Sequence, residues 1–468
     1  MNRVTWSGIG FAITLLMVTL IRPVQGQDRP PAYPPHVAPK EVTAPGEEGS
    51  RNIHVVSHVP LGGFLHVADI AVEQEMSRPY VYVAKRFIPT GVDIISIKDP
   101  ARARVIWEWR IENADLHRGA GSLNPMYLKS HGRYYLTNAF QFVQGGPDLD
   151  LGAIVWDVTG LPDTSKVKEI ARIRETEFPG GFHESFSYKH SNGQALLVST
   201  TNGPFADVWD IDQVAAAGKG DPQTGMVARI PIPSSTVDMG AIQMAGYHDF
   251  YIGYEPVSKQ DRFYGGGKGG YYVYDITNLK EPKLLTSITG AAGVNWGHTF
   301  TPDPTGRYAV TEIEYQYAPL RIFDLKPGLD GQVKTISRPV GAWTADWRDL
   351  SHNHLVRWPY VFVAAYEDGL QIFNMMDPTN PYTVGYYRTY GGPHESRDIG
   401  NVNNGGWGVD IRNADGLILL ADMTTGFWAF KMDGFDGWNG HQWGMPNVSS
   451  AQDWDNGPDG APQPGRVS

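Results

Sequence analysis

Short apolar runs with a polar residue near the end recur along the chain. In most of them an aromatic or aliphatic residue is followed by Asp and then by another aliphatic residue, after which a turn begins. The seven runs are VDIISI, AIVWDV, ADVWDI, YYVYDI, LRIFDL, LQIFNM and FWAFKM, whose fifth positions are Ser96, Asp157, Asp210, Asp275, Asp324, Asn374 and Lys431. Neighbouring fifth positions are separated by 49 to 65 residues, which leaves room for three or four short strands in each unit.

These repeats predict an all-β fold, a seven-bladed β-propeller that spans residues 51–433. Too little regular sequence follows Lys431 to supply the outer strand of the last blade. We therefore expect an N-terminal strand within NIHVVSHVPL, residues 52–61, to complete that blade and close the ring. The Asp that ends most third strands is expected to accept N–H bonds from the turn that follows.

The two ends of the chain differ from the repeats. Residues 1–26 have the features of a signal peptide, with Arg3, the apolar run GIGFAITLLMVTLI and small residues before Gln27. An uncleaved anchor is the alternative, but the run is shorter than the roughly 20 residues that span a bilayer. We expect a secreted or periplasmic protein without a membrane span in the mature chain. Residues 27–50 are a Pro-rich linker, and residues 434–468 are a tail rich in Gly, Asn, Asp and Trp, either an ordered cap or a loose end.

Two stretches of the chain resemble a known repeat. PYVYVAKRFIPTGVDIISIKDP and PYVFVAAYEDGLQIFNMMDPTNP resemble the LVIVD repeat of bacterial secreted and surface proteins. GGWGVDIRNADGLILLADMTTGFWAF, taken with SHNHLV, is similar to the choice-of-anchor B relatives of that family. The match is good over residues 350–431 and 66–100 and looser over 117–345. The resemblance implies a propeller and a secretory destination, and it implies no settled reaction.

Composition narrows the chemistry. The chain has 54 Gly, 34 Pro, 12% aromatic and 19% charged residues, which suits short strands joined by turns. Its net charge of −11 and its lack of a basic stripe argue against a nucleic-acid partner. The absence of Cys excludes disulfides, thiolate nucleophiles, Fe–S clusters and thiolate zinc sites. A metal site would have to use His, Asp, Glu, Tyr or backbone oxygen.

Histidines recur near the start of the predicted inner strands. Five of the seven strands carry them, and we take these histidines as candidate metal ligands: His66, His183, His248, His298, His352 and His354. Inner strands line the channel of a propeller and start at one mouth, so these side chains are expected to converge there. Neutral imidazole suits Cu, Fe, Zn or Mn. Asp69, Glu184 and Asp249 are expected partners of the histidines, but a carboxylate directly after a histidine needs a bulge to reach the same side.

Other residues point to ligands beyond a metal ion. Trp296 and Trp407 lie near strand starts, and His394 and Arg397 lie in the polar loop GGPHESRDIG, so all four are candidate ligand-binding residues. One hypothesis is a binding module for a small molecule, a glycan or a protein, in which the histidines only bond backbone carbonyls or hold water.

The alternative is a metal-dependent enzyme. An oxygenase-like oxidoreductase is one form, since carotenoid-cleaving oxygenases carry a four-histidine iron centre on the axis of a seven-bladed propeller. That comparison concerns architecture alone. A polysaccharide lyase is the other form, with a metal or arginine on the uronate carboxylate and a His or Tyr base. The sequence leaves the substrate, the metal and the existence of a reaction open.

Overall fold

The fold is built almost entirely from strands. The computed structural model describes residues 49–63, 65–87, 89–237, 245–346, 350–391, 404–438 and 453–458. Within those residues there are seven four-stranded antiparallel sheets, arranged as the blades of a seven-bladed β-propeller. The predicted all-β fold class is therefore confirmed.

Six blades are continuous in sequence, and each runs from its inner strand to its outer strand. Blade one contains β2 (Val67–Val72), β3 (Tyr80–Lys85), β4 (Gly91–Ser96) and β5 (Arg104–Arg110). Blade two contains β6 (Gly121–Ser130), β7 (Arg133–Gln141), β8 (Leu151–Asp157) and β9 (Lys168–Arg174). Blade three contains β10 (Ser185–Lys189), β11 (Ala195–Ser199), β12 (Phe205–Asp210) and β13 (Met226–Pro231). Blade four contains β14 (Tyr247–Glu255), β15 (Gln260–Gly267), β16 (Gly270–Asp275) and β17 (Lys283–Thr289). Blade five contains β18 (Phe300–Pro302), β19 (Tyr308–Thr311), β20 (Leu320–Asp324) and β21 (Gly341–Trp343). Blade six contains β22 (His354–Arg357), β23 (Tyr360–Ala364), β24 (Leu370–Asn374) and β25 (Tyr382–Tyr387).

The seventh blade takes strands from two distant parts of the chain. Its strands β26 (Gly406–Arg412), β27 (Leu417–Asp422) and β28 (Gly426–Met432) are followed in space by β1 (Ile53–Val59). β1 is antiparallel to β28, with Ile53 opposite Met432 and Val59 opposite Phe427. β1 thus occupies the outer edge of the sheet, where β28 would otherwise present unpaired backbone groups.

Helical structure is confined to short connections. In the described residues these are α1 (Ile211–Ala217), α2 (Lys326–Leu329) and the 3₁₀ turns Pro100–Arg102, Ala114–Leu116 and Thr164–Lys166. No helix among the described residues is long and apolar enough to cross a membrane. The predicted signal peptide, residues 1–26, lies outside the described residues and stays a prediction.

The polar residues that end the third strands hold the next turn. The Oδ1 atoms of Asp157, Asp210, Asp275, Asp324 and Asn374 each accept a bond from a backbone N–H two or three residues further on. The expected turn-capping role is therefore confirmed for these five residues, and their recurrence reflects strand geometry rather than catalysis.

Part of the C-terminal tail lies against the propeller. Among the described residues 453–458, Asp453 pairs with Lys129 at 2.6 Å and Asp455 pairs with Lys189 at 2.5 Å. Trp454 packs edge-on against Tyr254, with 5.4 Å between ring centroids. The three partners belong to the late parts of inner strands β6, β10 and β14. This segment therefore contacts blades two, three and four at the opposite end of the inner strands from the predicted histidine sites.

Replacement of Ile53 tests how much β1 contributes to stability. Ile53 is 6% exposed and packs in the core shared by blades six and seven. Ile53→Ala should lower the free energy of unfolding by about 2 to 4 kcal/mol, because it removes buried methyl groups and leaves a cavity. Val55, which is 41% exposed on the same strand, supplies the matched control. Val55→Ala should change the urea midpoint little. Equal effects of the two changes would mean that β1 is not part of the core.

Candidate functional site

Bulges at the starts of inner strands bring adjacent side chains into the channel. In blade four, Tyr247 pairs with Gly267 and Asp249 pairs with Gly266, so His248 is the extra residue. Side chains of successive residues normally point to opposite faces, and a bulge changes this alternation locally. His248 and Asp249 accordingly line one cavity together. The bulge that the sequence argument required is present here.

Four of the predicted histidines form one row, which we call the histidine cluster: His183, His248, His298 and His352. The centroids of neighbouring rings are 4.3, 4.3 and 4.9 Å apart. Trp407 continues the row, 4.1 Å from His352. All except His183 are buried, and His183 is partly exposed. The cavity that these five side chains line has a volume of about 10 Å³, enough for one water molecule or one ion.

Two predicted ligands lie elsewhere. His66 is partly exposed and does not line this cavity; burial, followed by the charges of Lys85 and Arg110, lowers its pKa. Asp69 lies on the channel as Asp249 does, so the position that matches His248 is Ala68 rather than His66. His354 does face the channel, but it lines a separate cavity of about 60 Å³.

Two of the four predicted ligand-binding residues lie at the histidine cluster. Trp296 packs edge-on against His248, with 5.6 Å between centroids, and Trp407 belongs to the cavity wall. His394 and Arg397 lie outside the described residues.

Hydrogen bonds at Nδ1 orient three rings of the histidine cluster. His183 Nδ1 is 3.2 Å from Gln141 Oε1, and His352 Nδ1 is 2.8 Å from the carbonyl oxygen of Trp407. His298 Nδ1 is 3.0 Å from the hydroxyl oxygen of Thr299, which donates its own proton to Asp249 Oδ2. Each of these three oxygens therefore accepts, so each Nδ1 carries a proton and donates it. In a neutral ring, Nε2 then holds the free lone pair, which is the form that binds metal ions.

His298 lies between two buried carboxylates. Glu312 is at its Nδ1, and Glu314 Oε2 is 3.6 Å from its Nε2. Burial alone would lower the pKa of His298, but the charge of Glu312, followed by the charges of Glu314 and Asp249, raises it to about 9. Burial also raises the pKa of Glu312 to about 7. The three side chains therefore hold positive and negative charge in a space with little access to water.

The other rings of the histidine cluster are kept neutral. Burial, and next the charge of His298, lowers the pKa of His183 to about 3 and that of His352 well below its ordinary value. The pKa of His248 is lowered well below 6.5 by the same two causes. The row therefore contains three neutral imidazoles and one charged ring, His298, which lies between His248 and His352.

Tyr366 contacts the carboxylate oxygen of Glu314 that does not face His298. Its hydroxyl donates to Glu314 Oε1, which leaves Oε2 directed at His298. The backbone of Tyr366 has a φ of 36°, which is uncommon for an aromatic residue. Its N–H and carbonyl both pair with Gly406, at 3.0 and 2.8 Å, and these bonds maintain the strained conformation.

Glu312 and Glu314 were missed by the sequence argument, which took its candidate metal ligands from the inner strands. The two glutamates directly follow β19, the second strand of blade five. The available signal was the segment VTEIEY, in which two glutamates alternate with apolar residues in a region of strands. Alternation of this kind places both carboxylates on one side of the strand.

A layer of carboxyl and amide groups lies next to the histidine cluster. Asn353 donates to Asp69 Oδ2 at 2.7 Å, and Thr299 donates to Asp249 Oδ2 at 2.7 Å. Burial raises the pKa of Asp69 to about 7, with a smaller contribution from the charge of Asp249. Gly408 is required opposite Asp69, because a Cβ at that position would lie 1.9 Å from Asp69 Oδ1.

Three side chains in this region have the geometry of a metal site. One potential ligand atom from each of His248, His298 and Glu314 lies within 4.8 Å of the other two. All three residues are buried. His248 Nδ1 has no hydrogen-bond partner among the described residues.

Comparison with known proteins gives a match of structure only. No protein-family model and no curated protein matches the chain, so the resemblance to LVIVD repeats stays a prediction. Among solved structures, the chain is similar to the WD40 β-propeller domain of Doa1, with 9% identity and a TM-score of 0.49. The match covers 82% of this chain and 99% of that chain. Function must therefore be inferred from the residues of the site.

His354 should make the protein sensitive to acid. Burial lowers its pKa to about 3, from 6.5, so its contribution to stability is complete above pH 6.5 and is lost as the pH falls towards 3. Between pH 7 and pH 5 the wild type should lose about 2 kcal/mol more unfolding free energy than His354→Leu. Urea unfolding at the two pH values measures the difference. Identical losses would show that the His354 pKa is close to that of an exposed histidine.

Proposed function

We propose that the protein binds one divalent transition metal ion through His248, His298 and Glu314. The carrying observation is that three buried donor atoms lie within 4.8 Å of one another at one end of the propeller channel. Ligand atoms around a tetrahedral zinc ion, at about 2.1 Å from the metal, are roughly 3.4 Å apart. A small inward shift of these side chains would complete such a site.

The groups behind the proposed ligands support this role. A metal-binding histidine is commonly oriented by a polar group at its second nitrogen. His298 Nδ1 is 3.0 Å from Thr299 Oγ1, and Glu312 Oε2 is 2.8 Å from the same atom. Tyr366 likewise engages one oxygen of Glu314 and leaves the other available. The cavity of about 10 Å³ that His248 and His298 line is the size of an ion or a water molecule.

The donor set limits the choice of ion. Two imidazoles and one carboxylate suit Zn, Fe, Mn or Cu, whereas Ca and Mg prefer sites made only of oxygen. Binding would displace the extra proton of His298, and the positive charge that the ion brings would be balanced by Glu312 and Glu314. The same set of two histidines and one carboxylate occurs in non-haem iron oxygenases, so this donor set favours an oxidoreductase among the enzyme alternatives.

Cavity size argues against a sugar inside the channel. The cavities described along the channel measure about 10 and 60 Å³, whereas pockets for small molecules usually measure about 300 to 1,000 Å³. The channel walls that the structure describes therefore suit an ion and ordered water. A glycan or an uronate substrate would have to bind outside this part of the channel.

Metal content and metal titration test the proposal. After loading and dialysis, the wild type should retain one equivalent of Zn²⁺, Fe²⁺, Mn²⁺ or Cu²⁺ by mass spectrometry. His248→Ala should weaken binding by about 100-fold or more, because it removes one of three ligands. This variant leaves the His298–Glu312 pair intact, so the fold should persist by circular dichroism. His131→Ala is the matched control, since the His131 side chain is 68% exposed. A wild type that retains no metal, or His248→Ala that retains all of it, would contradict the proposal.

Tyr366→Phe tests the support behind Glu314. Loss of the hydroxyl that donates to Glu314 Oε1 should weaken metal binding by about 10-fold, the lower end of the range for such partners. Calorimetric titration with Zn²⁺ gives the affinities of wild type and variant. The thermal midpoint of each protein should be recorded beside them. Unchanged affinity would show that Tyr366 has only a structural role.

A further inference from the structure

The larger cavity of the channel, with a volume of about 60 Å³, is lined in part by oxygen-bearing side chains. Each of blades one to six supplies one of them, near the start of its inner strand or directly before it. We call these six side chains the oxygen ring: Asp69, Asn124, Glu184, Asp249, Thr299 and Asn353. Asn353 Nδ2 lies 2.7 Å and Asn124 Nδ2 lies 3.4 Å from Asp69 Oδ2. These hydrogen bonds connect blades six, one and two at the channel.

Three members of the oxygen ring are acids without a paired cation. Among the described residues Asp69, Glu184 and Asp249 form no ion pair, and neither Lys nor Arg lines the cavity. Asp410, the remaining acid on the cavity wall, has Arg357 Nη2 at 3.8 Å. Buried carboxylates of like charge are costly unless a positive charge offsets them. Burial accordingly raises the pKa of Asp69 to about 7 and that of Glu184 well above its ordinary value, and the charge of Asp249 adds to both effects.

The nearby histidines do not neutralise these acids. His354 lines the same cavity, but burial lowers its pKa to about 3, so it is uncharged at neutral pH. His298 is charged, but Glu312 and Glu314 already lie 2.8 and 3.6 Å from its two ring nitrogens. Its charge opposes, without cancelling, the rise that burial causes in the pKa of Asp249. A cation in the cavity would supply the positive charge that the described side chains do not.

Glu184 has a carboxylate oxygen that is free to bind such a cation. The residue is only 9% exposed and lines both channel cavities. Its Oε1 accepts the N–H of Ser185 at 3.1 Å, whereas Oε2 has no hydrogen-bond or ion-pair partner among the described residues. Because buried polar atoms normally have a partner, this oxygen indicates a ligand in the cavity.

We propose that the oxygen ring binds one Ca²⁺ ion that keeps part of its water shell. Ca²⁺ takes about six to eight oxygen ligands in flexible geometry, and carboxylates, amide oxygens and water all serve. Ligand atoms of the three acids do not all lie within 4.8 Å of one another, so water would complete the coordination. The cavity of about 60 Å³ has room for it, since one water molecule needs about 10 to 15 Å³. This site shares no ligand with the proposed transition-metal site and does not rest on it.

Calorimetric titration with CaCl₂ tests the oxygen ring. The wild type should bind one equivalent of Ca²⁺. Glu184→Gln should weaken binding by about 10-fold or more, because it removes one charged ligand while keeping the size of the side chain. Glu108→Gln is the matched control, since the Glu108 side chain is 60% exposed on outer strand β5. It should bind Ca²⁺ as the wild type does.

Thermal unfolding of the wild type gives a test that does not depend on a variant. Its thermal midpoint should rise with Ca²⁺ concentration, because an ion that binds only the folded chain stabilises it. Na⁺ at equal ionic strength should not cause this rise. A wild type that neither binds Ca²⁺ nor gains thermal stability from it would overturn the inference, as would a folded Glu184→Gln with unchanged Ca²⁺ affinity.

His248→Ala separates the two metal sites. It removes a proposed ligand of the transition-metal site and should leave Ca²⁺ affinity unchanged. Loss of Ca²⁺ binding in His248→Ala would place Ca²⁺ at the transition-metal site instead and so overturn the inference. A wild type that binds Ca²⁺ but no transition metal would contradict the proposed function and support the oxygen ring.

Discussion

The histidine end of the channel depends on one buried charge arrangement, His298 between Glu312 and Glu314. Removal of such groups from water costs several kcal/mol per ion, and only close pairing offsets that cost. Glu312 lies 2.8 Å from Nδ1, and Glu314 lies 3.6 Å from Nε2. The two carboxylates depend on His298, since its loss would leave both of them in the protein interior without this cation. Among the described residues His248 has no comparable ion pair, and so it can act as a ligand without holding the arrangement together.

Backbone irregularities place these groups where regular strands would not. A bulge at His248 brings a histidine and the following aspartate to one cavity, and an equivalent irregularity occurs between Gly406 and Gly408 in blade seven. Glycine at position 408 leaves space for Asp69 from the next blade. The blades thus repeat one regular backbone arrangement, and local irregularities in it bring the polar side chains of the site together.

The sequence predicted the blades well because the same pattern of strand and turn recurs along the chain. Five of the seven third strands ended in the same turn, held by Asp or Asn, so an error in one segment did not affect the others. The site was harder to predict, because alignment on histidines alone put His66 in register with His183. Glu314 reaches His298 through the register of one blade, and Tyr366 reaches Glu314 from a different blade. Such neighbours become visible once the register of the strands is known.

The contact between Asp455 and Lys189 has a consequence for the boundaries of the folding unit. The Lys189 side chain is completely buried, and among the described residues its ammonium group bonds, apart from Asp455, only two uncharged oxygens, Ser130 Oγ and the carbonyl of Lys129. The last described strand of the propeller ends at Met432. Asp455, the counter-ion of Lys189, lies more than twenty residues further along the chain. The segment that completes the sheets therefore ends at Met432, whereas the residue that neutralises the buried Lys189 lies beyond it, at Asp455. A domain cut at the end of the strands would be complete in its hydrogen-bonded sheets but would contain an uncompensated internal cation.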